Sequence, residues 1–252
     1  MRVFQYDGSL SGFLTALDEA LHGAMPPDEI SACGVEQPGL SAAPIFLETQ
    51  FERIRHVAGA LKAKTGWEAM RNVFHAFLSD APGREMAIYR YCAFGLEVGA
   101  RLDSFLADDR VIRVHRLAES VKKEAHRYLG LARFEELADG TLYARIEPDH
   151  DILPLIANHF QKRLPRQAWV IHDLKRGKAA VAANGCVTLA EITVDGQPVL
   201  SDTEMEIREA WKRYFIHMGI EERRNPRLQR QHIPLRYWKH LIEMQSGRRA
   251  KS

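Results

Sequence analysis

The sequence predicts an α+β fold, an antiparallel sheet of about five strands within residues 131–194 flanked by N- and C-terminal helices. Three observations carry that expectation. Apolar residues recur at helical spacing through most of 9–134. Two hairpin patterns then interrupt the spacing, the first turned by Asp139-Gly140. Helical spacing returns after residue 202.

Residues 2–6 alternate Val3 and Gln5 against Phe4 and Tyr6 and end at Asp7-Gly8, a short strand entering a turn. Ser9 or Ser11 can cap a helix reaching about His22, with Phe13, Leu14, Leu17 and Leu21 on its apolar face. The Pro- and Gly-rich segment 23–44 predicts a long loop, with one strand near 45–47. Three helices follow over 49–64, 67–78 and 82–102, and Pro82 suits a first helical turn because its missing N–H would be unbonded there. A fourth helix, 110–134, turns Val111, Val114, Leu117, Ala118, Val121, Ala125 and Tyr128 inward.

Strands over 131–137 and 142–146 form the first hairpin, and Asp149 or Asp151 caps a helix through Leu164. Segments 169–173 and 179–183 form the second hairpin, and 187–194 a further strand. A helix over 202–218 opens with acids that suit its dipole and carries a stripe of Ile207, Ala210, Trp211, Tyr214, Phe215 and Met218. A loop broken by Asn225-Pro226 leads to a last helix over 234–244, with Leu235, Trp238, Leu241 and Ile242.

At 252 residues, the chain suffices for one large domain or two small ones. No apolar run is long enough to cross a bilayer, and MRVFQYDG lacks the charged-then-apolar pattern of a secretory signal, so a cytoplasmic location without membrane association is expected. Cys33, Cys92 and Cys186 are dispersed, which argues against a disulfide framework or a cysteine-bound cluster. No H-E-x-x-H, paired Cys/His spacing, Walker loop, G-x-G-x-x-G or G-x-S-x-G occurs. The expectation is therefore no metal or other cofactor in this chain.

Net charge is +2 but uneven. Residues 1–109 carry 9 Lys/Arg against 15 Asp/Glu, and 110–252 carry 26 against 18. The chain divides on this basis into a mainly helical acidic part, 1–109, and a basic α+β part, 110–252. Arg113, Arg116, Lys123 and Arg127 share the outward arc of the 110–134 helix, with Glu124 the main acid nearby, a spacing able to follow a phosphate backbone. A merely solvated helix face has the same pattern. Arg223, Arg224, Arg227 and Arg230 crowd the C-terminal loop, with Arg236, Lys239 and His240 outward on the next helix and Tyr237 able to stack on a base. Domain-level pairing with the acidic half would use the same charges.

Among eleven histidines, His115 and His126 lie eleven residues apart, about 16 Å along a helix, too far to share a metal. His159 falls on a buried helix face. His172 and Asp173 end a strand with Arg176 in the following turn, a place where polar groups meet a cleft, although strand neighbours point to opposite faces.

The strings YDGS (6–9), FLSD (77–80), DDRVIRVHRLAESVKKEAHRYLGLARF (108–134), EPDHDILPLIANHF (147–160), WVIHDLKR (169–176) and RRNPRLQRQHIPLRYWKHLIE (223–243) together resemble the bacterial "probable DNA metabolism protein" family. The resemblance implies one family domain over 1–252, encoded beside a radical SAM enzyme of DNA modification or repair. Some members are fused to a uracil-DNA glycosylase domain. It implies an accessory protein that binds DNA or another nucleic acid through Arg113, Arg116, Lys123, Arg127, Arg133, Arg176, Arg223, Arg224, Arg227 and Arg236. The iron–sulfur cluster and S-adenosylmethionine would then sit on the radical SAM partner, and a glycosylase-type protein is a further expected partner. The alternative is a stand-alone enzyme on a nucleobase or nucleic-acid backbone, with His126, His172 and Asp173 as acid–base groups.

Overall fold

The computed structural model describes residues 2–34, 43–193, 198–218, 220 and 225–245. The chain forms two compact units, Met1–Lys123 and Glu124–Ser252. Their boundary falls inside the basic helix. By unit, the counts are 14 Lys/Arg against 16 Asp/Glu and 21 against 17, so most of the sequence's charge asymmetry is an effect of cutting ahead of that helix.

In the first unit β1 (Val3–Tyr6) is the middle strand of a small parallel sheet, between β2 (Glu29–Ala32) and β3 (Ile45–Phe46). Phe4 pairs with both Ile30 and Ile45. The segment expected as loop thus holds a strand: EISA alternates Ile30 and Ala32 with Glu29 and Ser31, but four residues among Pro and Gly are too short a pattern to stand out, and pairing with β1 fixes them. Parallel pairing requires a crossover, supplied by α1 (Leu10–His22). Ser9 caps α1, its Oγ accepting from the Gly12 N–H at 2.9 Å. Asp7 in turn accepts from the Ser9 N–H and hydroxyl and the Thr49 hydroxyl. A Cβ on Gly12 would fall 2.2 Å from Asp7 Oδ1, so this tied carboxylate excludes a side chain there.

Helices α2 (Phe51–Thr65), α3 (Trp67–Phe77) and α4 (Arg84–Val98), a 3-10 segment (Gly99–Ser104) and the start of α5 (Asp109–Leu131) complete this unit. Its core includes Tyr6, Phe13, Leu17, Leu61, Ile88 and Leu102, with Phe13 stacked on Phe77 at 5.3 Å.

In the second unit five strands run in the order β4-β5-β6-β7-β8: Phe134–Glu136, Leu142–Ile146, Trp169–Asp173, Lys178–Ala183 and Cys186–Glu191. Three pairings are antiparallel, and both expected hairpins form. Asn184 and Gly185, at φ 52° and 79°, turn β7 into β8. The pairing of β5 with β6 is parallel, contrary to a purely antiparallel expectation, because α6 (Leu153–Arg163) crosses between them. Phe160 on α6 packs edge-on to Phe134 at 5.2 Å. Register places Ala144, Ile171 and Ala180 on one sheet face and Glu135, Tyr143, Arg145 and His172 on the other.

The C-terminal segments depart most from expectation. On α7 (Asp202–His217) Ile207, Trp211, Tyr214, Phe215 and Met218 are exposed rather than inward. The helix turns its polar side to β4 instead. Buried Glu204 accepts from the Glu136 N–H, and Arg208 donates to buried Glu135 at 2.5 Å. A buried carboxylate needs a counter-charge, and that need outweighs the apolar stripe. Asn225-Pro226 opens α8 (Pro226–His232) instead of breaking a loop, since Asn225 caps the Leu228 N–H and Pro226 occupies the first turn. The expected helix 234–244 is a 3-10 segment, Leu235–His240, followed by the short α9 (Ile242–Gln245).

Candidate nucleic-acid interface

Helix α5 buries the apolar face read from its sequence and exposes Arg113, Arg116, Lys123 and Arg127. Within the first unit, among the described residues, Arg113 makes a long contact to the Pro82 carbonyl at 3.4 Å, and Lys123 lies 3.5 Å from Glu119. Arg116 has no acidic partner among the described residues. Arg116 and Lys123 stand two turns apart, about 10 Å along the axis. In the second unit Arg127 is likewise exposed.

The other expected phosphate contacts differ. Arg176 is nearly buried and donates to Asp173 at 2.7 Å and to the Pro148 and Asp149 carbonyls. Arg133 donates to Glu243 at 2.7 Å and to the Gly130 carbonyl. Arg236 pairs with Asp149 at 2.6 Å and lies over the Tyr237 ring. Arg176 and Arg133 serve acceptors within the fold, whereas the Arg236 pair with Asp149 is half exposed. Arg227 is exposed on α8, and Arg223 and Arg224 lie outside the described residues. Tyr237 is buried, its hydroxyl donating to Glu124 at 2.9 Å, so it offers no free ring to a base.

The expected acid–base trio is not brought together. His172 is 5% exposed and hydrogen-bonded through Nδ1 to the Tyr143 hydroxyl at 2.7 Å. Asp173 is 0% exposed, points to the opposite sheet face, and is held by Arg176 and the Lys175 N–H. Burial pushes its carboxyl above the usual range, against the pull of Arg176. His126 is exposed on α5, and no described contact links it to the other two.

The sequence reading missed the acids that organise this unit. Glu124 accepts from the Asp149 and His150 N–H groups and Tyr237. Glu147 accepts from Lys239 and from His240 at 3.0 Å; burial works upward on its carboxyl, but these bonds hold it below the usual range. Glu135 binds both Arg145 and Arg208. One signal was available: Glu124 is an acid on the inward arc of a helix whose other inward residues are apolar.

Burial lowers the imidazole pKa of His75, His172 and His240, against Asp173 at His172 and Glu147 at His240. On acidification the unfolded chain takes these protons first. Stability present above about pH 6.5 is therefore expected to be lost as pH falls through the folded-state values. Urea midpoints measured between pH 7.5 and about 5 check this, and His172→Asn is expected to flatten the slope.

A family model described as a domain of unknown function (DUF4130) matches residues 82–243. No curated protein and no solved structure matches the chain. Among the described residues no helix is long and apolar enough to cross a membrane.

Proposed function

We propose that this chain, which belongs to the DUF4130 family, is a nucleic-acid-binding accessory protein of DNA modification or repair. The observation that carries the reading is the exposed cation row on α5, above all Arg116, which no described acid neutralises. Backbone phosphates satisfy such a row without base contacts, which suits a subunit that holds DNA for another enzyme. The chemistry then belongs to a radical SAM partner carrying the iron–sulfur cluster and S-adenosylmethionine. In the second unit Trp211 and Tyr214, stacked at 5.6 Å and both exposed on α7, offer ring faces that suit unpaired bases. The stand-alone enzyme gains no comparable support, because His172 and Asp173 are sealed in and bonded.

Fluorescence anisotropy with single- and double-stranded oligonucleotides across a salt series tests the reading. Affinity is expected to fall steeply with salt as counterions are released. Arg116→Ala with Lys123→Ala should weaken binding by about 1–3 kcal/mol and flatten the log–log salt slope by about 2. Folding should be nearly unchanged, since exposed charges contribute little to stability. Equal binding by the double variant and the parent would overturn the proposal.

A further inference from the structure

We infer that Asp18, His22 and His56 in the first unit form a binding site for a divalent first-row transition-metal ion of the zinc class. The site lies outside the matched family segment and is independent of the nucleic-acid reading. Asp18 and His22 stand one turn apart on α1, which places them on one helix face. His56 comes from α2. Two contacts hold these helices in register: the Gln50 N–H donates to Thr15 Oγ1 at 3.1 Å, and Arg53 donates to Glu19 at 2.5 Å.

Both imidazoles aim Nδ1 at one carboxylate oxygen. His22 Nδ1 lies 3.2 Å and His56 Nδ1 2.7 Å from Asp18 Oδ1, and the rings stand 4.8 Å apart. Each residue offers a ligand atom, and the three atoms lie within 4.8 Å of one another. An ion with bonds of about 2.0–2.2 Å in tetrahedral geometry needs its ligand atoms about 3.3–3.6 Å apart. Small rotations of the exposed imidazoles reach that spacing, while Asp18 is anchored by burial. Arg53 approaches the other carboxylate oxygen, Oδ2, at 4.0 Å, and its charge is met by Glu19, which leaves Oδ1 for an ion.

Ligand chemistry selects the ion. Two imidazoles with one carboxylate favour zinc, cobalt, nickel or iron(II) over magnesium or calcium, which prefer all-oxygen shells. Three protein ligands on an accessible surface leave a position for water, the pattern of an open rather than a sealed structural site. The sequence expectation of no metal rested on local spacing, and a pair of ligands completed by a remote third residue lies beyond such a search.

The test uses the full chain, stripped with chelator and dialysed. Cobalt(II) is expected to produce visible d–d bands saturating at one equivalent, and zinc to compete them away. Calorimetric titration of zinc should give one site. His22→Ala and His56→Ala should each weaken zinc binding by more than the roughly 10–100-fold that loss of an outer-shell partner costs. His56 is the safer variant for folding because its side chain is 60% exposed, and circular dichroism checks both. His217→Ala, an exposed histidine of the second unit, should leave binding unchanged. Absence of saturable cobalt bands, zinc affinity equal to the parent's in both ligand variants, or loss of binding in His217→Ala would overturn the assignment.

Discussion

Asp173→Ala is expected to destabilise the second unit by about 3–5 kcal/mol, the usual cost of leaving one partner of a buried ion pair alone. The carboxylate is fully buried at the end of β6, 2.7 Å from the Arg176 guanidinium. Its removal takes away the buried carboxylate to which Arg176 donates beside the Pro148 and Asp149 carbonyls, and with it the Oδ1 acceptor of the Lys175 N–H. Asp173→Asn keeps an acceptor oxygen and should cost less. Arg176→Ala should cost an amount similar to Asp173→Ala, and the double variant less than the two together by about 1–3 kcal/mol, since each single change already removes the same interaction. Urea unfolding followed by tryptophan fluorescence reads this unit, because Trp169, Trp211 and Trp238 lie in it and only Trp67 does not. A loss below about 1 kcal/mol for Asp173→Ala would place the pair with weak surface ion pairs and refute the argument.

That pair also marks where sequence reading succeeds and where it stops. The strand ending at Asp173 and the turn holding Arg176 were legible, because alternation and turn chemistry are local. The use of Arg176 was not, since a cation in a turn looks the same whether it meets a phosphate or a carboxylate three residues behind. The same limit applies to Arg133 and Arg236, whose acceptors Glu243 and Asp149 come from distant segments. Helix α5 behaved differently. Its two faces are fixed by period alone, so the exposure of Arg113, Arg116, Lys123 and Arg127 followed from spacing. On α7 the period was read correctly and the orientation wrongly, because buried Glu135 recruits Arg208 across the sheet edge. The metal-ligand cluster was hidden for a further reason: His56 is 34 residues from His22 in sequence, and only the α1–α2 pairing joins them.

Glu124→Ala is expected to cost about 3–5 kcal/mol, because it takes one shared acceptor from three donors at once, two part-buried and one buried. The carboxylate is 3% exposed and accepts from the Asp149 N–H at 2.9 Å, the His150 N–H at 2.8 Å and the Tyr237 hydroxyl at 2.9 Å. Hydrogen bonds to a charged group contribute about 1.5–3 kcal/mol each, and three sharing one acceptor add less than their sum. This one side chain ties α5 to the loop after β5 and to the 3-10 segment Leu235–His240. Tyr237→Phe removes the third bond and the one its hydroxyl accepts from Arg236 at 2.9 Å, while its edge-on Tyr128 contact survives, so about 1–2 kcal/mol is expected. Glu124→Gln should fall between the two: its amide oxygen can accept, but its NH2 must face one of the donors. The ordering Glu124→Ala worst, Glu124→Gln intermediate and Tyr237→Phe mildest, in the fluorescence-monitored urea midpoint, is the expected result. If Tyr237→Phe costs as much as Glu124→Ala, the two backbone N–H groups contribute nothing, and the loop is held by packing of Ile152 and Leu153 rather than by the carboxylate.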